Sequence, residues 1–147
     1  MAVEKKFAGY ICTGCGIGER LNVGQLETIA SREGKMASVK QQAMLCSPEG
    51  VQLIRDDIAA GNATHIMIAA CSRRSKVEAF SFPDAAMARA NLREGVIWAR
   101  PDDPAQQETT QEMADDYIRM ACAEVKYMTV PTPSGEQAVN KSILVVG

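Results

Sequence analysis

HIMIAAC, residues 65–71, is the stretch that decides the fold. It is nearly all apolar, as a central parallel strand is when helices cover both of its faces. Upstream, FAGYIC (Phe7–Cys12) is a second short apolar run, ending in a turn rich in glycine (Gly14, Gly16, Gly18). Between the two, Asn22 is placed to cap a helix with Val23, Leu26, Ile29 and Ala30 on one face, stopped by Gly34. Residues 36–43 are a weaker strand candidate. Ser47-Pro48 then reads as an N-cap followed by proline at the first helical position, with Val51, Ile54 and Ile58 as the apolar stripe and Gly61-Asn62 as the stop. Downstream, residues 75–93 read as helical with an interruption at Pro83, VIWA (96–99) as a fourth strand with Trp98 in the core, and Asp103-Pro104 as the start of a long helix with Met113, Tyr117, Met120 and Ala121 on one side. Strands alternating with helices predict an α/β fold, a small three-layer, Rossmann-like domain with a mostly parallel sheet of about four strands.

The chain has 147 residues, 46% hydrophobic and 23% charged, with a net charge of −2. This suits one domain with its own core. The slight acidity argues against nucleic acid as a partner, because such binders carry a basic stripe. No apolar run approaches the ~20 residues of a membrane span, so no direct membrane insertion is expected. The first residues, Met1-Ala2-Val3-Glu4-Lys5-Lys6, lack the apolar core of an export signal. A cytoplasmic location is expected. Residues 1–130 are read as the domain and 131–140, rich in Pro, Gly and polar residues, as a linker. Residues 141–147, KSILVVG, read as a further strand ending at Gly147. A strand followed by glycine opens a dinucleotide-binding unit, so the tail reads as the start of a second, flavin- or nicotinamide-binding domain of a longer protein, or else as a strand completing this sheet.

Five cysteines in a chain with no export signal point to metal binding or catalysis rather than structural bridges. Four of them fall at element ends. Cys12 closes the first strand and opens Cys12-Thr13-Gly14-Cys15; Cys46 follows the second strand candidate; Cys71 closes the strongest strand. Thirty residues separate Cys15 from Cys46 and twenty-four separate Cys46 from Cys71, each about one βα unit. In an open parallel sheet the carboxyl ends of the strands share one edge, where ligands bind, so this spacing suits four thiolates converging on one site. Gly14 and Gly16 let backbone N–H groups approach the sulfurs, the helix after Cys46 aims its positive end at the same edge, and Arg73 beside Cys71 favours thiolate. A four-cysteine set serves an iron–sulfur cluster, a structural zinc ion or a redox dithiol. Against a dithiol, nothing in that reading needs Cys46 or Cys71; against zinc, the sulfurs are spread over three elements.

Other residues read as structural. Cys122, with Ile118 and Val125 at helical spacing, is a small apolar filler. His65, the only histidine, reads as a surface or edge residue. The methionines read as core or interface filler. No catalytic residue is expected, and the isolated domain is not expected to turn over a substrate.

The runs Tyr10-Ile11-Cys12-Thr13-Gly14-Cys15-Gly16, Leu45-Cys46-Ser47-Pro48-Glu49-Gly50, Ala69-Ala70-Cys71-Ser72-Arg73 and Ala90-Asn91-Leu92-Arg93-Glu94 together resemble the N-terminal domain of heterodisulfide reductase A and its relatives. Those relatives include the B component of the quinone-interacting membrane-bound oxidoreductase and an electron-transfer component of the class II benzoyl-CoA reductase complex. The resemblance implies an iron–sulfur flavoprotein of anaerobic metabolism, whose partners are the flavin domain of the same chain and the other proteins of an oxidoreductase complex. It implies a [4Fe–4S] cluster held by Cys12, Cys15, Cys46 and Cys71, and FAD in the full-length parent, with Gly147 as the first glycine of the FAD fingerprint. Many heterodisulfide reductase A sequences leave one residue between the first two cysteines; here there are two, Thr13 and Gly14.

Overall fold

The computed structural model describes residues 4–132, 134–136 and 138–147. Met1, Ala2 and Val3, and Pro133 and Gln137 of the linker, lie outside the described residues. Strand β1 (Phe7–Cys12) is followed by a single helical turn, α1 (Ile17–Arg20), then α2 (Val23–Thr28), which runs into a π-helical turn (Ile29–Glu33). Then come β2 (Ser38–Gln42), α3 (Pro48–Ala59), β3 (His65–Ala70) and β4 (Ala86–Asn91). A second π-helical turn (Arg93–Ile97), a 3-10 turn (Pro104–Gln106) and the long α4 (Gln107–Tyr127) complete the order. The strands form one all-parallel sheet in the order β2-β1-β3-β4. Every residue of β3 is buried, as its unbroken apolar run demands. Among the described residues no helix is long and apolar enough to cross a membrane.

Local chemistry sets the element starts. The Asn22 side chain accepts from the Gln25 amide and the Ser47 hydroxyl accepts from the Gly50 amide, with Pro48 in the first turn, so two otherwise orphaned helix donors are satisfied. One face of the sheet carries α2, the first π-helical turn and α4, which crosses β3 and β4. The Asn22 amide donates to Gln111 (2.7 Å), and Gln25 donates to Asp115 (2.6 Å), tying α2 to α4. The other face carries α3. There Tyr10 of β1, fully buried, donates its hydroxyl to Asp57 (2.8 Å), and Lys40 of β2 holds the same carboxylate at 2.7 and 2.9 Å. Ile66, Ile68, Ile54 and Leu45 are fully excluded from solvent; side chains of this kind each contribute about 1.5–3 kcal/mol of hydrophobic free energy.

The structure corrects several expectations. The fourth strand is Ala86–Asn91, within the segment read as helical, and not residues 96–99. AMARAN alternates small buried alanines (Ala86, Ala88, Ala90) with larger residues, a period-2 pattern that alanine's helix preference disguises. Val96 and Ile97 are buried, but in a π-helical turn, and Trp98 is 65% exposed with Arg93 stacked over its ring at 4.8 Å. His65 is buried, bonded to the Met128 carbonyl (3.1 Å) and the Thr64 hydroxyl (2.9 Å); burial, helped by nearby Lys5, holds its pKa below the usual histidine value against the pull of that carbonyl. On α4 the buried face is Ala114, Ile118, Ala121, Cys122 and Val125, and Met120 is exposed. Residues 141–147 add no strand to this sheet, and Ile143, Leu144, Val145 and Val146 are exposed.

Candidate metal centre

The carboxyl ends of β1, β2 and β3 meet along one edge of the sheet, and four cysteines stand there. Cys12 is the last residue of β1, Cys46 lies in the turn between β2 and α3, and Cys71 follows β3. With Cys15 they line one hollow, closed by Ile17, Ala70, Phe80, Lys76 and Arg93 and enclosing about 350 Å³ of atom-free space, part of it open to solvent. Cys12 and Cys71 are buried, Cys46 is half-buried and Cys15 is exposed. All five cysteines are free thiols. Among the described residues no three His, Cys, Asp or Glu side chains form a group that could hold a metal ion; the four thiols stand around the wall of the hollow.

The backbone shapes the Cys12–Cys15 loop. Cys15 has φ of 54° and Gly16 has φ of 85°, so two successive residues take the left-handed conformation, unusual for cysteine. At Gly14 an added Cβ would stand 2.1 Å from the Ala43 carbonyl oxygen and 3.8 Å from Cys12 Sγ. This glycine lets the loop of Cys12 and Cys15 lie directly on the loop that leads to Cys46. Gly14→Ala is expected to force the two loops apart. The cost is about 1–3 kcal/mol from overpacking, and any metal bound between the loops weakens with it; urea denaturation together with metal analysis checks both.

The cations at the hollow are not the expected ones. Arg73 reaches Glu124 instead (3.3 Å), with its side chain 65% exposed, and does not line the hollow. Arg89 of β4 donates to Cys71 Sγ at 3.1 Å and to the Cys71 carbonyl at 3.0 Å. Arg93 lines the hollow; its charge is held more firmly than usual, first by the Glu94 carboxylate and, against burial, by Cys15. Glu94 in turn accepts from the Ser72 amide (2.7 Å), the Ser75 hydroxyl (3.2 Å) and Arg93 (2.7 Å). Burial disfavours the Glu94 charge, but Arg93 and the Ser72 amide outweigh it and hold the carboxyl below its ordinary pKa. Glu94 therefore clips the turn after Cys71 to the end of β4. Arg89 was visible in the sequence only as an arginine between alanines in AMARAN, and the helical reading of 75–93 hid it. Cys122 stands apart in α4, where burial pushes its thiol up to about 11 against a small opposing pull from Lys126.

The donor set suits a thiolate-bound group. Four cysteines line one hollow, and the Arg89 guanidinium donates to one of their sulfurs.

No family model matches the chain. The chain is similar to the A component of several curated heterodisulfide reductases. It is 29% identical over 146 residues (94% of this chain, 18% of the relative) to that of the ferredoxin/F420H2-dependent CoB–CoM heterodisulfide reductase of Methanosarcina acetivorans. It is 28% identical over 152 residues (98% of this chain, 22% of the relative) to that of the H2:CoB–CoM heterodisulfide,ferredoxin reductase of Methanothermobacter thermautotrophicus. A heterodisulfide reductase A-like protein of Archaeoglobus profundus is 27% identical over 153 residues (98% of this chain, 21% of the relative). The chain thus spans about a fifth of the length of the curated relatives it matches, and its similarity to them runs along almost all of its own length.

Proposed function

We propose that this chain is an electron-relay domain of a heterodisulfide reductase A-like iron–sulfur flavoprotein, holding a [4Fe–4S] cluster through Cys12, Cys15, Cys46 and Cys71. The observation that carries the reading is that cysteines from the ends of β1 and β3 and from two loops line a single hollow. The similarity to heterodisulfide reductases supports it. When bound, such a cluster supplies one-electron transfer at a potential set by its hydrogen bonds, charge and exposure.

The chain's own residues do the rest. Ile17, Ala70 and Phe80 wall the buried side and keep water from Cys12 and Cys71. Arg89 and Arg93 offset part of the negative charge of four thiolates, and the amides of Gly14 and Gly16 lie in the loop between and beside two of the sulfurs. Cys15, exposed, sits on the open side, with the exposed Trp98 stacked on its neighbour Arg93, so that side faces the partner that gives or takes the electron. The partners in this reading are the flavin domain of the same protein, with residues 141–147 as its opening segment and Gly147 as the first glycine of the FAD fingerprint, and the other proteins of an oxidoreductase complex in the cytoplasm.

Anaerobically purified protein should contain about four iron and four acid-labile sulfide per chain. It should absorb near ~400 nm and bleach with dithionite. One equivalent of zinc without sulfide overturns the electron-relay reading in favour of a structural docking module.

A further inference from the structure

Arg89 is a buried cation without a carboxylate. It is 7% exposed, and among the described residues no Asp or Glu forms an ion pair with it. Its Nη1 donates to the Ser75 carbonyl (2.8 Å), its Nη2 to the carbonyl and the sulfur of Cys71 (3.0 and 3.1 Å), and its guanidinium lies over the Phe80 ring at 4.6 Å. Its Nε has no partner. An isolated buried charge is costly unless an anion compensates it. Arg93, by contrast, already has Glu94. Among the described residues hydrogen-bonded to Arg89, the group that can carry negative charge is the Cys71 sulfur.

We propose that Arg89 is the counter-charge of the Cys71 thiolate and thereby raises the reduction potential of the centre this cysteine helps to hold. The inference rests on the cluster reading above. Adding one electron makes the centre one unit more negative, and a fixed positive charge bonded to a ligand sulfur favours that state; low local dielectric and a charged donor strengthen the effect. The strand geometry fixes the guanidinium there: Arg89 pairs in register with Ile68, two residues before Ala70 and three before Cys71, and Phe80 closes over it. A purely structural role, pinning residues 71–75 through two carbonyls, leaves the potential where it is.

The test is a dithionite redox titration of the cluster-loaded full chain, followed by EPR and by absorbance, on the parent, Arg89→Gln, Arg89→Lys and Arg73→Gln. Arg89→Gln is expected to lower the equilibrium constant for reduction about tenfold, ~59 mV for a one-electron couple. Arg89→Lys, which keeps the charge but not the fork that reaches both the carbonyl and the sulfur, should fall by a smaller step. Arg73→Gln, which removes an equal charge outside the hollow, should not move. If the parent holds no iron and sulfide, the cluster reading itself fails. If the parent loads and neither Arg89 variant shifts the potential, the role of Arg89 is overturned and the cluster reading stands. Where Arg89→Gln does not load, Arg89→Met, which keeps the bulk over Phe80 and removes the charge, decides: a lowered potential supports the proposal and a parental one overturns it.

Discussion

A Cys71→Ser chain is expected to hold no cluster. Iron and labile sulfide should drop from about four of each per chain to background, and the absorbance near ~400 nm should vanish. Two physical effects act together. Thiolate, not hydroxyl, is the ligand iron–sulfur chemistry uses, and a metal-site contribution to folding is lost with it. Cys122→Ala is the contrast. It empties a buried position in α4 beside Gly34, where an added Cβ would stand 2.6 Å from the Cys122 sulfur. It should therefore loosen packing and leave iron content unchanged. Metal and sulfide analysis on the two variants side by side checks this; equal iron loss in both means that stability, not ligation, governs loading.

The second large effect lies where α3 packs on β1. Asp57→Ala should destabilise the domain by about 2–4 kcal/mol, because it takes the acceptor from a fully buried tyrosine hydroxyl and the counter-charge from Lys40. The Lys40 side chain is 39% exposed and can turn to water, which keeps the figure below that of a wholly buried pair. Asp57→Asn keeps the shape and an acceptor for Tyr10, so about half the loss is expected. Burial raises the Asp57 pKa, but Lys40 and Tyr10 outweigh it and the net shift is downward from 3.8. The unfolded chain therefore binds the proton more tightly than the folded one. The stabilising share is complete above the unfolded value near pH 4 and is lost as pH falls below it through the folded value. Urea midpoints measured across that acid range, with metal content matched, should converge for parent and Asp57→Asn at the low end. A constant difference at every pH removes Asp57 ionisation as the cause.

Much of the layout is legible in the residues alone. The helix starts at Asn22 and Ser47, the strands at Phe7–Cys12 and around 65–71, the Asp103-Pro104 start and the parallel α/β class follow from capping chemistry and apolar runs, because these signals are local. The region from 72 to 99 is where local signals mislead, since alanine's helix preference in AMARAN outweighs its alternation. A strand of small residues is stabilised by the neighbours that cover it, and a single sequence does not display those neighbours. His65 departs from expectation for the same reason: its cover comes from Thr64, Phe7 and the chain at Met128, the last of these 63 residues away.

By itself the chain's order of residues determined that four thiols sit at element ends with βα-unit spacing, since a parallel sheet must bring its carboxyl ends to one edge. Only the tertiary structure decided which charges meet those thiols. Arg73, two residues after Cys71, turns away to Glu124, while Arg89, eighteen residues on, reaches the sulfur because parallel pairing lays β4 beside β3. Proximity along the chain sets where a backbone goes; the direction of a long, charged side chain is set by burial and by the partners that folding delivers to it.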